Sequence, residues 1–170
     1  LVAGRNDFYM AEAVEDLFIT ILKTDSRTDK QFLQEHFQWT FLGKGWELIA
    51  ERLKQAGFEV RHIAFAPDYI AELQQHDIQI TPISVGTGTK GKVLDAIANG
   101  LLEIGTPGAL ENIAVESGTS CIIYQEAKEL IGILKDIANQ PERYEKMARS
   151  GMERVRQYHN ASDIAEKLFS

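Results

Sequence analysis

The sequence predicts an α/β domain in which one doubly wound, Rossmann-like parallel sheet of about six strands carries helices on both faces. Short apolar runs alternate with segments of helical hydrophobic period along the chain, which is the order of a βαβ fold. No two-residue hairpin signal separates one strand from the next, so antiparallel pairing is not indicated. With 170 residues, 44% of them hydrophobic, the chain is long enough for one domain with a substantial core. We therefore predict a single domain over residues 1–170.

The predicted strands are short apolar runs that end at glycine, proline or polar residues. The first four residues have the pattern of a strand end, and the fourth strand leads directly into a glycine-rich loop. Strands are predicted at residues 1–4, 39–42, 58–65, 78–85, 101–104 and 120–124.

The predicted helices have apolar residues at intervals of three and four positions. Gly57 fits the position just past the end of the second helix, and Pro67 fits the first position of the third. Asn160 begins a cap for a last short helix, and the polar segment 25–30 is predicted to be a loop. Longer helices are predicted at residues 8–23, 46–56, 68–76, 93–99, 109–115, 126–138 and 141–159.

A glycine-rich loop, residues 86–92, joins the fourth strand to the next helix. Such a loop leaves backbone N–H groups free at the positive end of the helix dipole, where phosphate oxygens are held. Lys90 and Lys92 oppose that dipole at a cost of up to about 1 kcal/mol each, a cost that a bound anion reverses. In the alternative interpretation, both lysines are solvated and the glycines only make the turn.

Glycine-containing loops follow four of the predicted strands. In a parallel sheet all four would lie at the carboxyl edge, where ligands bind. Each loop taken alone fits an ordinary strand-to-helix turn equally well, but their joint placement predicts a cleft. The loops are at residues 4–5, 43–45, 86–91 and 105–108.

Composition excludes several classes of function. A net charge of -7 and a pI near 5.1, without any basic run, argue against a nucleic-acid partner. No apolar stretch approaches the ~20 residues of a membrane span. Cys121, the single cysteine, lies in an apolar run and is interpreted as a core thiol of a cytoplasmic protein. The four histidines lack metal-ligand spacing, so no metal site is predicted.

The chain begins without an initiator methionine, in what looks like the end of a strand. We therefore expect it to be a segment of a longer polypeptide. Whether the remaining part holds the protein at a membrane surface stays open.

Several segments together resemble a known family. The stretch from Pro82 to Glu111 contains the glycine-rich loop, then Val-Leu-Asp-Ala-Ile-Ala-Asn-Gly, then a strand ending in Gly-Thr. It resembles the donor-binding signature of retaining glycosyltransferases of the GT-B fold, of the group 1 or family 4 type. Residues 1–5 resemble the strand and phosphate-binding turn that begin that family's C-terminal domain, and residues 41–45 resemble its second glycine turn. Residues 141–158 resemble its closing helix, so the resemblance covers nearly the whole chain in order.

The resemblance implies a domain that binds a nucleotide sugar, in a hexosyltransferase that retains the anomeric configuration. The acceptor would be held by an N-terminal domain absent from this chain. Asp95 would hold the donor ribose hydroxyls, and the end of the third strand, residues 63–66, would lie near the base. No metal or other cofactor is implied, and no catalytic residue is predicted. The implied nucleotide-sugar-binding residues, mostly diphosphate contacts, are Arg5, Gly43, Gly86, Thr87, Gly88, Thr89, Lys90 and Asp95.

The chain departs from the family pattern at several positions. Thr87 stands where many members have a glutamate that contacts the donor sugar, and Asp95 is one methylene shorter than the usual glutamate. Met10 replaces a lysine, and Leu101 and Leu102 follow Gly100 where a proline is common. Two alternatives therefore stay open, namely a sugar-nucleotide epimerase of the same fold and a degenerate interaction module that no longer binds nucleotide. If the donor site is intact, the isolated domain is expected to bind its donor but hardly to turn it over.

Overall fold

The computed structural model describes the backbone at residues 2–3, 16, 18–20, 23, 27–82 and 90–169. The side chains of residues 3, 90 and 160–169 are not described. Most of the predicted first helix, residues 8–23, therefore lies outside the described residues, although residues 16 and 18–20 are helical.

Six parallel strands form the described sheet. They are β1 (Val2–Ala3), β2 (Gln38–Leu42), β3 (Glu59–Ile63), β4 (Ile78–Thr81), β5 (Leu102–Gly105) and β6 (Ile122–Ile123). Hydrogen bonding joins them in the orders β1-β2-β3 and β4-β5-β6, and β1 lies beside β4. The strand order is therefore 3-2-1-4-5-6, the order of a doubly wound nucleotide-binding sheet. The predicted fold class and strand direction are confirmed.

Alternate residues along the strands face two separate cores. On one face, Phe41 of β2 and Ile104 of β5 pack with Leu53 and Leu134 from two different helices. On the opposite face Leu42 packs in another cluster. Because side chains alternate along a strand, burial on both faces requires helices on both sides of the sheet, as observed.

Six helices are described in the chain beyond residue 26; the first was not predicted, and the other five match predicted helices with shifted ends. They are α1 (Arg27–His36), α2 (Glu47–Gln55), α3 (Tyr69–Leu73), α4 (Lys90–Ala98), α5 (Glu129–Asn139) and α6 (Pro141–Phe169).

The prediction of a loop at residues 25–30 is wrong, because α1 begins at Arg27. Leu33 of α1 is fully buried in the core, and Asp29 accepts from Lys135 Nζ of α5 at 2.7 Å. Local polarity could not predict this helix, since both contacts are made with distant parts of the chain.

The predicted short helix at 109–115 is also wrong. Ala109 N–H donates to Thr106 O, and Ile113 N–H donates to Leu110 O, so the segment consists of turns. Asn112 has φ +62°, in the left-handed region, which a right-handed helix does not contain.

Two other helix ends differ from prediction. Pro67 does not start α3; instead Asp68 caps it, with Oδ1 accepting from Ala71 N–H at 3.0 Å. The separate short helix predicted after a cap at Asn160 is wrong, because α6 continues without interruption to Phe169. Within the part of the chain that the structure describes, no helix is both long and apolar enough to cross a membrane.

Candidate functional site

The turn after β2 lies at the carboxyl edge of the sheet and is held from β3. Gly43 has φ +139°, which favours glycine, and its N–H donates to Ile63 O at 2.8 Å. His62 Nε2 donates to Gly43 O at 2.8 Å, so both polar groups of the Gly43 backbone are bonded to β3. Trp46 is fully buried just before α2 and anchors the far end of the turn. The turn predicted around Gly43 is thus a rigid part of this edge.

Helix α4 begins at Lys90, close to the end of β4 at Thr81. Val93 and Ile97 are fully buried and seat the helix on the rest of the domain. Its first turn therefore emerges at the carboxyl edge, near the point between β1 and β4 where the strand order reverses. Doubly wound sheets bind ligands at this position.

Asp95 is exposed on α4, and its carboxylate has no hydrogen-bond or ion-pair partner among the described residues. Asn99 bonds instead to the Asp95 backbone, through Nδ2 to the carbonyl oxygen at 2.7 Å. Among the described contacts, neither Lys92 nor Asn99 pairs with this carboxylate. A solvent-facing carboxylate here is able to accept hydrogen bonds from a ligand.

Most of the other predicted site residues cannot be placed. Arg5, Gly86, Thr87, Gly88 and Thr89 lie outside the described residues. Only the backbone of Lys90 is described, as the first residue of α4. Their predicted roles stay predictions.

A buried polar network beneath α4 was missed by the sequence analysis. Glu103 of β5 is fully buried and lies opposite Gln79 of β4, and Thr81 is buried two residues along the same strand. Burial raises the pKa of the Glu103 carboxyl to about 8. The available signal was a pair of polar residues at alternate positions of an otherwise apolar strand, with a glutamate in the apolar run that follows.

Tyr69, at the start of α3, is electrostatically linked to both acidic groups. Burial, with the nearby charges of Asp95 and Glu103, raises the pKa of its hydroxyl to about 12. The buried hydroxyl has no hydrogen-bond partner among the described residues. The first turn of α3 is therefore close to the same edge of the site.

A separate groove of about 740 Å³ opens at the opposite edge of the sheet. Its lining includes the amino ends of three strands, at Gln38, Glu59 and Ile78. None of the predicted site residues lines it. It is therefore distinct from the edge formed by the Gly43 turn and α4.

Among the described residues, no group of three or more histidine, cysteine or acidic side chains is placed to hold a metal ion. The lone cysteine, Cys121, is fully buried as predicted, and burial raises the pKa of its thiol to about 12.

The chain was compared with known proteins. The model of the family described as glycosyl transferase-like matches residues 27–170. No curated protein gave a significant match.

Solved structures show the same fold at low sequence identity. The C-terminal domain of a group 1 family glycosyl transferase, LpcC, from Francisella tularensis is 16% identical with a TM-score of 0.68, covering 94% of this chain and 83% of that one. HepE of Anabaena, solved with UDP and glucose, is 15% identical with a TM-score of 0.72, covering 98% and 47%. The catalytic domain of cholesterol-alpha-glucosyltransferase from Helicobacter pylori is 16% identical with a TM-score of 0.64, covering 92% and 97%. This chain thus spans about half the length of HepE.

Proposed function

This chain belongs to the glycosyl transferase-like family, and from that membership we propose that it is the donor-binding domain of a glycosyltransferase. The proposed donor is a nucleoside-diphosphate hexose, whose sugar is transferred to an acceptor with retention of configuration. The observation that carries the proposal is Asp95, which is exposed and has no side-chain partner among the described residues, on a helix that starts at the switch point of the sheet.

The diphosphate is proposed to bind at the amino end of α4. The uncovered N–H groups of a helix start and its dipole favour an anion. The side chains of Lys90 and Arg5, and the loop residues Gly88 and Thr89, are proposed to complete this pocket. Such groups stabilise a departing nucleoside diphosphate without a metal ion, because they are aimed where its charge develops.

The nucleoside is proposed to lie between Asp95 and the end of β3. A carboxylate accepts two hydrogen bonds from a vicinal diol, which suits the two ribose hydroxyls. Residues 63–66, which follow the Gly43–Ile63 bond at the same edge, are proposed to lie near the base. The complex of HepE with UDP and glucose supports a nucleoside diphosphate as the ligand class.

The acceptor is proposed to bind to a second domain of the same polypeptide. This chain covers only 47% of HepE, so the fold is one half of a larger architecture in that neighbour. Catalysis would then consist of holding the anomeric carbon of the donor against an acceptor supplied by the other half.

Titration calorimetry tests the donor site. We expect this chain to bind one of UDP, GDP and ADP, and expect Asp95→Ala and Lys90→Ala each to weaken that binding at least tenfold, or about 1.4 kcal/mol. Glu51→Ala is the matched control, because Glu51 is also an exposed helical acid but lies on α2. Its affinity should equal that of the wild type.

Two results would contradict the proposal. One is a folded wild-type chain, and a full-length polypeptide, that bind none of these nucleotides, which would favour the degenerate module. The other is tight binding that neither Asp95→Ala nor Lys90→Ala changes, which would place the nucleotide elsewhere.

A further inference from the structure

The polar network beneath α4 joins three buried side chains on one face of the sheet. Gln79 of β4 lies directly opposite Glu103 of β5, and Thr81 lies two residues further along β4. All three are at least nine-tenths buried. They face the same side as α4, since Gln79 reaches the helix backbone.

Both oxygens of the Glu103 carboxyl are bonded within this network. Thr81 Oγ1 donates to Glu103 Oε1 at 2.5 Å, and Gln79 Nε2 donates to Glu103 Oε2 at 3.2 Å. Gln79 Nε2 also donates to the backbone oxygen of Lys92, in the first turn of α4, at 3.3 Å.

These hydrogen bonds hold both ends of the segment between β4 and α4. Thr81 is the last residue of β4, and Lys92 is the third residue of α4. One carboxyl group is therefore tied to both ends of the connection that contains the glycine-rich sequence, directly at Thr81 and through Gln79 at Lys92. Packing holds the first turn at Val93, which is fully buried, but not at Gly91, where a Cβ would meet nothing within 4 Å.

Stability alone is a poor explanation for this arrangement. Taking a carboxyl group out of water costs free energy that hydrogen bonds only partly offset, and apolar residues of similar volume usually serve a core at least as well. A hydrogen-bonded network, in contrast, fixes a geometry, since each bond constrains direction as well as distance.

We propose that Gln79 and Glu103 are positioning residues, which hold the first turn of α4 in the orientation that binds the donor diphosphate. This inference rests on the proposed function of α4. The N–H groups of that turn bind phosphate only when they converge on it, so losing the anchor costs affinity although neither side chain touches the ligand.

Two measurements on this chain test the proposal, namely amide hydrogen exchange without ligand and calorimetry with UDP, GDP and ADP. Gln79→Met keeps the shape but removes the three hydrogen bonds that Nε2 donates, to Thr81, Lys92 and Glu103. We expect at least tenfold faster exchange at residues 94–97, whose N–H groups bond to the carbonyl groups of the first turn of α4, and at least fivefold weaker nucleotide binding. Thr81→Val, which removes one hydroxyl, should give smaller changes in the same direction and serves if Gln79→Met does not fold.

Rescue separates positioning from packing. In Glu103→Gln the amide oxygen can accept from Gln79 and the amide nitrogen can donate to the Thr81 hydroxyl, which accepts as well as donates, so its affinity should stay within twofold of the wild type, whereas Glu103→Leu should lose at least fivefold. Ile137→Val is the stability control, because Ile137 is buried in the core on the opposite face. It should lower Tm and leave affinity and exchange at residues 94–97 unchanged.

Hydrogen exchange tests whether the network anchors α4, and calorimetry tests whether that anchoring supports nucleotide binding. Unchanged exchange at residues 94–97 in Gln79→Met overturns the anchoring, whether or not any nucleotide binds. Faster exchange with unchanged affinity overturns the positioning role. If the wild type binds no nucleotide, as chain or as full-length polypeptide, the proposed function fails and the positioning role fails with it, while the exchange data still judge the anchor.

Discussion

Glu103 is the most perturbed acid among the described residues, and its surroundings explain why. No water reaches the side chain, and the hydrogen bonds from Thr81 and Gln79 only partly compensate for the lost hydration. Burial, together with the negative charge of ionised Glu103, raises the pKa of Tyr69, Cys121 and Tyr124. None of these three groups supplies a positive charge, so burial dominates and raises the pKa of the Glu103 carboxyl to about 8.

This shift makes stability depend on pH in a defined direction. The folded pKa, about 8, is above the ordinary value of 4.5, so between these values the folded chain holds a proton that the unfolded chain has released. The contribution of this proton to the free energy of unfolding is fully present below pH 4.5 and is lost as pH rises towards 8. We measure the free energy of unfolding of the wild type minus that of Glu103→Gln. We expect this difference to fall by more than about 1.4 kcal/mol between pH 5 and pH 8.

Urea unfolding at several pH values gives this difference directly. Glu51→Gln, at an exposed position on α2, is the control and should run parallel to the wild type. Parallel curves for wild type and Glu103→Gln would show that the carboxyl titrates normally and would contradict the burial argument.

At this scale the sequence singled out Asp95 through the family resemblance, because the residue stands at the matching position of the helix after the glycine-rich loop. The structure shows Asp95 exposed, and its role in binding a ligand stays a prediction. Glu103 could not be assigned, because its environment depends on the pairing of β5 with β4 and on the cover provided by α4. Neither relation is local in the sequence.

Helix α6 shows how one element fixes the loops near the site. Arg154 Nε donates to Ala114 O at 3.0 Å, and Ala114 N–H donates to His159 Nε2 at 3.2 Å. Arg156 Nε donates to Ala98 O at 3.1 Å, at the carboxyl end of α4. The helix thus bonds both to the turns after β5 and to the helix of the candidate site.

Gly151 allows the close approach on which these bonds depend. A Cβ there would lie 2.5 Å from the backbone oxygen of Ser120, which cannot move without its turn. We expect Gly151→Ala to lower the free energy of unfolding by about 1–3 kcal/mol, the usual cost of overpacking. Chemical denaturation measures the change.

Gly132→Ala in α5 is the matched control for that substitution. Gly132 is exposed in a helix, and a Cβ there meets nothing within 4 Å. Alanine should therefore stabilise the chain by up to about 1 kcal/mol through helix propensity. Equal effects of the two substitutions would show that the contact with Ser120 relaxes freely.

Elements were predicted well where the pattern is local. The strands and the helix after the glycine-rich loop were placed correctly because apolar runs, period and glycine punctuation are all visible in the sequence. Helix α1 was missed because its burial is against α5, and the segment 109–115 was predicted as helix because its apolar spacing is helical. The left-handed backbone conformation of Asn112 prevents a continuous right-handed helix in that segment, and a sequence pattern does not show backbone angles.

At the scale of the whole molecule, the strand order determines which features of this chain lie at the edge of the candidate site. With β1 beside β4, the Gly43 turn and the start of α4 lie at one edge, and the exposed Asp95 carboxylate faces solvent there. A reaction between two substrates needs the second one held against the first, with reacting atoms about 3–3.5 Å apart. The roles proposed for Gly43 and Asp95 both concern the donor, so the proposal assigns the acceptor to another part of the polypeptide.

We therefore expect the chain alone to bind a nucleoside diphosphate but not to form a glycosidic bond. The full-length polypeptide should bind the same nucleotide with similar affinity and release it from the matching nucleotide sugar at least a hundredfold faster, because the proposed second domain would supply the acceptor. Release of nucleoside diphosphate, followed with the chain and with the full-length polypeptide at saturating donor, measures this ratio. At donor concentrations well below saturation, Asp95→Ala in the full-length polypeptide should lower turnover at least tenfold by weakening donor binding, which ties turnover to this site. Equal turnover by the chain and the full-length polypeptide would place acceptor binding within these 170 residues. It would contradict the proposal that the acceptor binds to a second domain.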